Sequence, residues 1–446
     1  MEPFPNEFLE NMRKMLGVEY PAFLRALEQP PALALRLNPR RRGAEASAAG
    51  FADTPVPWAE QGRYLIQREG LRPGSSIAHA AGAFYMQEAS AMASAAVLDA
   101  SPGERVLDLC AAPGGKSTQI AAAMADMGLL VSNDPELSRA RALSGNLERM
   151  GAANAIVVSA LPERLADRWR ASFDAVLVDA PCSGEGMFRR DKASRAEWNP
   201  AAPVGCAKRQ AEILDQAARM LRPGGRLVYS TCTFNDIENE GSILGFLERH
   251  PDFAPEDFTL SGVGASCRGM LRLLPHRVRG DGHFVARLRR SGRAEHTPEK
   301  AVARPDREAA ERLSALTRDV CILPQSLRDM RPFIQGDRLY CQPWGCPPLE
   351  GLRVISPGLC LARIGRSHIE PEHALAMALP PECAKRTAEL DDTRALAWLR
   401  GESVPFEGEK GWTLALHAGM PLGWGKVSDG TLKNHLPKGL RRAQKA

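Results

Sequence analysis

No apolar run in the chain approaches the roughly 20 residues needed to cross a bilayer, which argues against a membrane-spanning protein. The opening stretch, Met1-Glu2-Pro3-Phe4-Pro5-Asn6-Glu7, has neither a basic head nor an apolar segment. No secretory signal is therefore expected, and the expected location is the cytoplasm. Paired-cysteine motifs are missing as well. The 10 cysteines lie at 110, 182, 206, 232, 267, 321, 341, 346, 360 and 383, with no CxxC and no Cys/His cluster of zinc-finger spacing. That excludes a disulfide framework and leaves no expected metal site. In a reducing compartment these are free thiols, mostly small buried hydrophobes, with a minority available for chemistry. Internal repeats are also absent.

What is present fits a soluble globular protein of several domains. The chain has 446 residues, 44% hydrophobic and 25% charged, too many for one ordinary core. Net charge is only +5, but its distribution is uneven. Between Lys410 and Ala446 stand seven basic residues (Lys410, Lys426, Lys433, Lys438, Arg441, Arg442, Lys445) and a single acid, Asp429. Arg36 with Arg40, Arg41 and Arg42 forms a second basic cluster. Either alone reads as a solvated face; two clusters flanking a core suggest a polyanionic partner such as RNA.

Residues 1–75 contain short helical and strand-like pieces, including Phe8–Leu16 with apolar residues at helical spacing. From about 76 to 290, strands Arg105–Leu109, Leu129–Ser132, Ala155–Val158, Asp174–Val178 and Arg226–Ser230 alternate with helices such as Leu137–Met150 and Ala207–Leu221. Strands alternating with helices predict an α/β, doubly wound parallel sheet. A charged, proline-bearing stretch, 291–308, reads as a linker. Region 309–446 is mixed and ends in short strands, Trp412–His417 and Leu422–Val427, joined by glycine turns. Deletion from about 305 would thus be expected to leave cofactor binding intact.

The first strand runs into Cys110-Ala111-Ala112-Pro113-Gly114-Gly115-Lys116, then a helix. Glycines after a strand let a backbone approach a ligand, and the helix start offers free N–H groups. The second strand ends Asn133-Asp134, a carboxylate suited to a ribose diol. The loop is not GxGxxG, and Cys110 stands where a P-loop needs its first glycine, so a nucleotide triphosphatase is disfavoured.

Asp179-Ala180-Pro181-Cys182 follows the fourth strand and Thr231-Cys232-Thr233 the fifth, so two thiols lie at neighbouring carboxyl ends. A single cysteine there is by default a buried hydrophobe. Two, with an aspartate, match a specific chemistry. Carbon 5 of cytosine is too weak a nucleophile to take a methyl group until a thiolate adds at carbon 6. A base must later remove the carbon-5 proton, and the nucleotide must be unstacked.

At this point the chain resembles the Nop/Sun family of RNA 5-methylcytosine methyltransferases, within it the bacterial RsmF-type rRNA enzymes. The resemblance rests on Leu107–Thr118, Asp179–Gly186 and Leu221–Thr233, supported by Arg209-Gln210 and Glu238-Asn239-Glu240. It implies a Rossmann-like seven-stranded sheet, a small N-terminal α+β RNA-binding region and a C-terminal PUA-like region ending Gly423-Trp424-Gly425-Lys426. It implies S-adenosylmethionine as cofactor, Cys232 as nucleophile, and Cys182 as the thiol that aids release. Asp179 would contact the cytosine edge and assist ring protonation. Cys110 to Lys116 would form the cofactor loop, with Lys116 near the reacting groups, Asp134 on the ribose and Arg139 supporting it. Gln87, Glu88 and Ser90 would line the same cleft. One departure stands out: the third strand continues Val157-Val158-Ser159-Ala160-Leu161-Pro162, with no acid before Glu163 to meet the cofactor adenine, leaving Ser159 or backbone groups.

The expected substrate is small-subunit rRNA or an assembling subunit, bound by a monomer with neither DNA nor membrane as partner. Alternatives are a tRNA cytosine-5 methyltransferase and a non-catalytic RNA-binding assembly factor. Exocyclic-amine methylation is disfavoured because Asp179-Ala180-Pro181-Cys182 replaces the usual Asn/Asp-Pro-Pro-aromatic tetrapeptide. A DNA-type enzyme would attack with the Pro-Cys cysteine and have no need of Cys232.

Overall fold

The structure is a computed structural model and describes residues 4–66, 68–293, 306–366 and 368–442. Most of the expected linker, residues 294–305, lies outside the described residues, as does Lys445 of the C-terminal basic cluster. No helix among the described residues is long and apolar enough to cross a membrane.

The central sheet has nine strands. In chain order they are β1 Arg105–Asp108, β2 Leu129–Asn133, β3 Ala155–Ser159, β4 Phe173–Asp179, β5 Leu221–Thr231, β6 Phe253–Pro255, β7 Met270–Leu273, β8 His283–Arg290 and β9 Arg353–Ser356. They lie in the order 6-8-5-4-1-2-3-9, with β7 paired to β8. Strands β1 to β5 are mutually parallel; β8 enters antiparallel against β5.

Alternation along each strand feeds two cores. Val106, Leu130, Val157, Leu177 and Val228 face one side, against Val97, Ile120, Leu143 and Leu147 from helices Met92–Leu98, Gly115–Ala123 and Leu137–Arg149. Leu107, Val131, Val158, Val178 and Tyr229 face the other, against Leu165, Leu214 and Phe246 from helices Pro162–Ala166, Ala201–Met220 and Glu240–Arg249. Burial on both faces is why these strands read as continuous apolar runs rather than alternating ones.

Four smaller sheets accompany this layer among the described residues, the smallest being the two-stranded pair Thr259–Leu260 and Gly264–Ala265. A four-stranded one joins Ala52–Val56, Ala59–Leu65, Ala34–Leu37 and Phe84–Met86, its last strand lying beyond the boundary expected at residue 75. A second four-stranded sheet, Arg331–Gln335, Arg338–Gln342, Leu359–Ile364 and Ile369–Pro371, packs on helix Arg307–Asp319. A five-stranded sheet is built around the hairpin Gly411–His417 and Met420–Ser428.

Two sequence expectations need correction. The N-terminal basic cluster is not a solvent-facing patch. Arg36 and Arg41 are buried, and Arg40 is ion-paired to Asp126 with its guanidinium on Ala121 O at 2.7 Å. Arg41 donates to Ala81 O at 3.0 Å and to Met377 O at 2.6 Å, clamping the N-terminal and C-terminal regions together. These two carbonyls stand in for part of the water that a guanidinium loses on burial. Arg42 alone of the four is largely exposed.

The C-terminal region, likewise, is no detachable appendage. Strand β9 pairs with β3, Val354 opposite Val158, and Cys346, Leu349, Leu352 and Val354 pack on the outer core. Removing residues 306–446 uncovers an edge strand and part of the Trp169 pocket. Loss of several apolar contacts, at about 1.5–3 kcal/mol for each fully buried aliphatic side chain, should lower the unfolding midpoint by roughly 5–10 °C. Cofactor affinity should fall with it. Scanning calorimetry of the truncated and full chains checks this; equal midpoints would refute the coupling.

Candidate active site

The sheet's carboxyl edge carries every strand end singled out from the sequence. β1 ends at Asp108, fully buried, which accepts the Ser117 hydroxyl at 2.6 Å. The chain crosses Cys110 to Pro113 and turns at Gly114, whose φ of +113° belongs to glycine. Helix Gly115–Ala123 starts there. Asn133, at the end of β2, accepts Ala111 N–H at 2.8 Å and donates to Leu109 O at 3.0 Å. Its side-chain oxygen accepts Ala160 N–H at 3.0 Å, so one asparagine joins the ends of β1, β2 and β3.

Asp134 is 2% exposed, accepts the Glu136 N–H at 3.0 Å and pairs with Arg139 at 3.4 Å. Burial raises its carboxyl above the ordinary range. Arg139 also donates to Ala112 O at 3.1 Å, so it ties the loop to the acid. The Ser159 hydroxyl donates to Pro135 O at 3.2 Å, next to Asp134. The predicted departure at the end of β3 is therefore filled by a serine already engaged with backbone.

β4 and β5 pair in parallel with Asp179 opposite Ser230. That register brings the two cysteine loops together: Cys182 Sγ lies 3.3 Å from Cys232 Sγ. Lys116 reaches across from the cofactor loop and donates to Asp179 Oδ2 at 2.7 Å. Ser230 donates to Oδ1 at 2.8 Å, and His283 Nε2 lies 3.5 Å from the same oxygen. Burial alone would raise Asp179, but Lys116 and His283 outweigh it and hold the carboxyl well below the usual carboxylate range. Lys116 is raised in turn, burial being outweighed by Asp179. The hydrogen bond with Cys232, then burial, push the Cys182 thiol well above its ordinary value. Burial also raises the Cys110 thiol, so it stays protonated.

A cavity of about 330 Å³ opens beside this cluster, lined by Tyr85, Gln87, Glu88, the Cys110–Lys116 loop and Asp179. Its lining suits S-adenosylmethionine: Asp108 and Asp179 border a space that would receive a cationic sulfonium and ammonium. Asp108 Oδ1 has no protein partner. Backbone N–H groups at the helix start favour the cofactor's carboxylate.

Of the expected lining residues, Gln87 and Glu88 line the cavity, whereas Ser90 is fully buried and accepts Gly282 N–H at 3.3 Å. Arg209 is exposed on its helix and away from the site. Gln210 is buried and donates to Pro181 O at 3.0 Å and Glu238 at 2.8 Å. Sequence reasoning counted Glu185 and Glu238 within the matching motifs but gave neither a role; they stitch the cysteine loops. Glu238 accepts Ser183 N–H at 3.0 Å and Asn235 at 2.8 Å. Glu185 accepts the Thr233 hydroxyl and Phe234 N–H, both at 2.8 Å. Sequence reasoning missed His283, although a histidine heading an apolar strand was a usable signal. Arg36, counted with the basic cluster, is in fact a buried support that donates to Gln87 at 2.9 Å and Thr118 at 2.6 Å.

A Rossmann-like sheet with this cofactor edge defines an S-adenosylmethionine-dependent methyltransferase, and comparison with known proteins narrows the class. The family described as 16S rRNA methyltransferase RsmB/F matches residues 95–289. The N-terminal domain of 16S rRNA methyltransferase RsmF matches 4–89, the RsmF first C-terminal domain 313–379 and the RsmF PUA domain 385–442. Ribosomal RNA small subunit methyltransferase F of Enterobacter sp. (strain 638) is 34% identical, covering 98% of this chain and 96% of that protein. The protein of the same name from Shewanella amazonensis is 33% identical, covering 99% and 98%. The chain belongs to the RsmF-type 16S rRNA methyltransferases. Among solved structures, a methyltransferase homolog protein from Pyrococcus horikoshii superposes with a TM-score of 0.55 at 29% identity, over 64% of this chain and 95% of that one. NSun6 from Pyrococcus horikoshii with SFG, at 21% identity and a TM-score of 0.57, covers 65% and 99% and shares the fold.

The buried Asp108 gives a pH test. Burial, opposed by Ser117, pushes its carboxyl up to about 7 from 3.8. A folded value above the unfolded one means that the protonated acid favours the fold. This contribution is complete below about pH 4 and is lost as pH rises through 7. Relative to Asp108→Asn, the wild type should lose roughly 3–4 kcal/mol between pH 4 and pH 8. Urea unfolding of both proteins across that range measures it, and a constant difference would refute the assignment.

Proposed function

We propose that the protein transfers a methyl group from S-adenosylmethionine to carbon 5 of a cytosine in small-subunit rRNA through a covalent cysteine adduct. The observation that carries this reading is the thiol pair at neighbouring strand ends, 3.3 Å apart beside the Lys116–Asp179 pair. The cofactor supplies an electrophilic methyl group; Cys110 to Lys116, Asp134 and Arg139 would hold it, with Ser159 near the adenine end. The protein works as a monomer in the cytoplasm, on RNA rather than DNA, with residues 76–290 as catalytic unit and 309–446 contributing RNA contacts.

Cys232 is the nucleophile. Cys182 Sγ, 3.3 Å from Cys232 Sγ, is placed to donate a hydrogen bond to the Cys232 thiolate that attacks carbon 6. Asp179 is held as a carboxylate. It therefore accepts the amino N–H of the base and stabilises the ring as nitrogen 3 gains its proton, rather than supplying that proton. Lys116, 2.7 Å away, is the neighbouring group that carries one. As the methyl group is transferred, nitrogen 3 returns its proton to Lys116, and the carbon-5 proton then leaves to solvent. Its bonding pair re-forms the ring double bond, and the carbon 6–sulfur pair returns to Cys232. The Cys182 thiol steadies that departing thiolate.

The two cysteines should separate in one experiment with RNA and cofactor. Cys232→Ala should abolish transfer and form no adduct. Cys182→Ala should attack and methylate but release slowly, so that a protein–RNA band persists under denaturing electrophoresis. Trapping by Cys232→Ala instead would reverse the roles. If neither variant trapped RNA and both retained transfer, covalent catalysis itself would fall.

A further inference from the structure

A groove of about 1010 Å³, lined by neither thiol, lies between the sheet of strands Arg331–Gln335 to Ile369–Pro371 in the C-terminal region and the loop 343–352 that leads into β9. The sheet has two unlike faces. Leu339, Cys341 and Leu361 turn inward onto helix Arg307–Asp319. On the other face Phe333 sits opposite Tyr340, with rings 5.4 Å apart at 19°. Arg331 lies over Phe333 at 5.8 Å, and its guanidinium donates to Gln342 at 3.0 Å.

The facing wall is rigid. Trp169 donates to Pro348 O at 2.8 Å, Arg168 to Glu350 O at 3.1 Å and Arg164 to Gly351 O at 2.9 Å. Cys346, Leu349 and Leu352 are seated in the catalytic core. Yet Trp344, on this anchored loop, is 52% exposed and lines the groove. One exposed tryptophan is unremarkable. A tryptophan held at the side of a cleft with a stacked aromatic pair and a guanidinium is the make-up of a base-stacking platform.

Charge selects the occupant. The groove's charged lining is Arg331 and Arg353 against one acid, Glu350. Arg353 is exposed and lies opposite Ser159, at the sheet edge that carries the cofactor site. The groove thus begins beside the catalytic edge and runs down the flank of the same rigid unit. We infer that it is a second RNA-contact site, which stacks unpaired bases on Trp344 and Phe333 and receives phosphates on Arg331 and Arg353. This rests on the reading of the protein as an RNA methyltransferase and adds where the substrate strand continues.

The test uses the full chain, a short fluorescein-labelled single-stranded oligoribonucleotide and isolated small ribosomal subunits, with cofactor binding followed by calorimetry. Trp344→Ala should weaken oligonucleotide binding about tenfold, and Trp344→Tyr should retain most of it. Arg331→Gln with Arg353→Gln should reduce the slope of log K against log salt by about 1.4, at about 0.7 per phosphate contact. Cofactor affinity should be unchanged in all variants. Wild-type affinity and slope in every variant would overturn the groove and leave the methyltransferase reading standing. Weakened binding to subunits but not to free RNA would assign the groove to a ribosomal protein and also overturn it. A wild type that neither binds RNA nor methylates it would overturn the underlying reading itself.

Discussion

The half-buried Lys116–Asp179 pair is the constraint on which the rest of the candidate active site depends. Lys116 comes from the loop after β1 and Asp179 from the end of β4, so the pair bridges the cofactor side and the base side of one edge. Two charges taken out of water are costly unless their remaining hydrogen-bonding capacity is met. Here Ser230 and His283 occupy the second oxygen of Asp179. Removing either partner would leave an uncompensated charge beside the reacting atoms, which couples the stability of this edge to its chemistry.

The thiol pair is organised by a separate device. Parallel pairing of β4 with β5 only brings the two loops near each other. Glu185 and Glu238 fix their conformation by accepting hydrogen bonds from Ser183, Thr233, Phe234 and Asn235. Burial raises Glu185, so it holds backbone donors with little competition from solvent. Loop residues thereby acquire the positional precision of a strand.

The same economy extends outward. Arg36 braces Gln87 and the helix after the cofactor loop, and Arg41 binds carbonyls from two distant regions. With β9 joining the central sheet, part of the C-terminal region belongs to the same packed core.

By itself the sequence determined the succession of strands and helices along the α/β core, and placed the glycine loop, Asp134, Asp179 and both cysteines at strand ends. Those features are local: an apolar strand followed by glycines or by a Pro-Cys turn states its position within a few residues. Tertiary structure alone decided which arginines are buried. Arg36 and Arg40 to Arg42 read as a basic surface because side-chain burial depends on partners distant in the chain, from Gln87, 51 positions beyond Arg36, to Met377, 336 positions beyond Arg41. It also decided that His283, from the last antiparallel strand, meets Asp179, and that β9 belongs to a sheet whose other strands precede it by at least 60 residues (His283–Arg290 to Arg353). Such contacts follow from how packed layers satisfy buried polar groups, which no local spacing encodes.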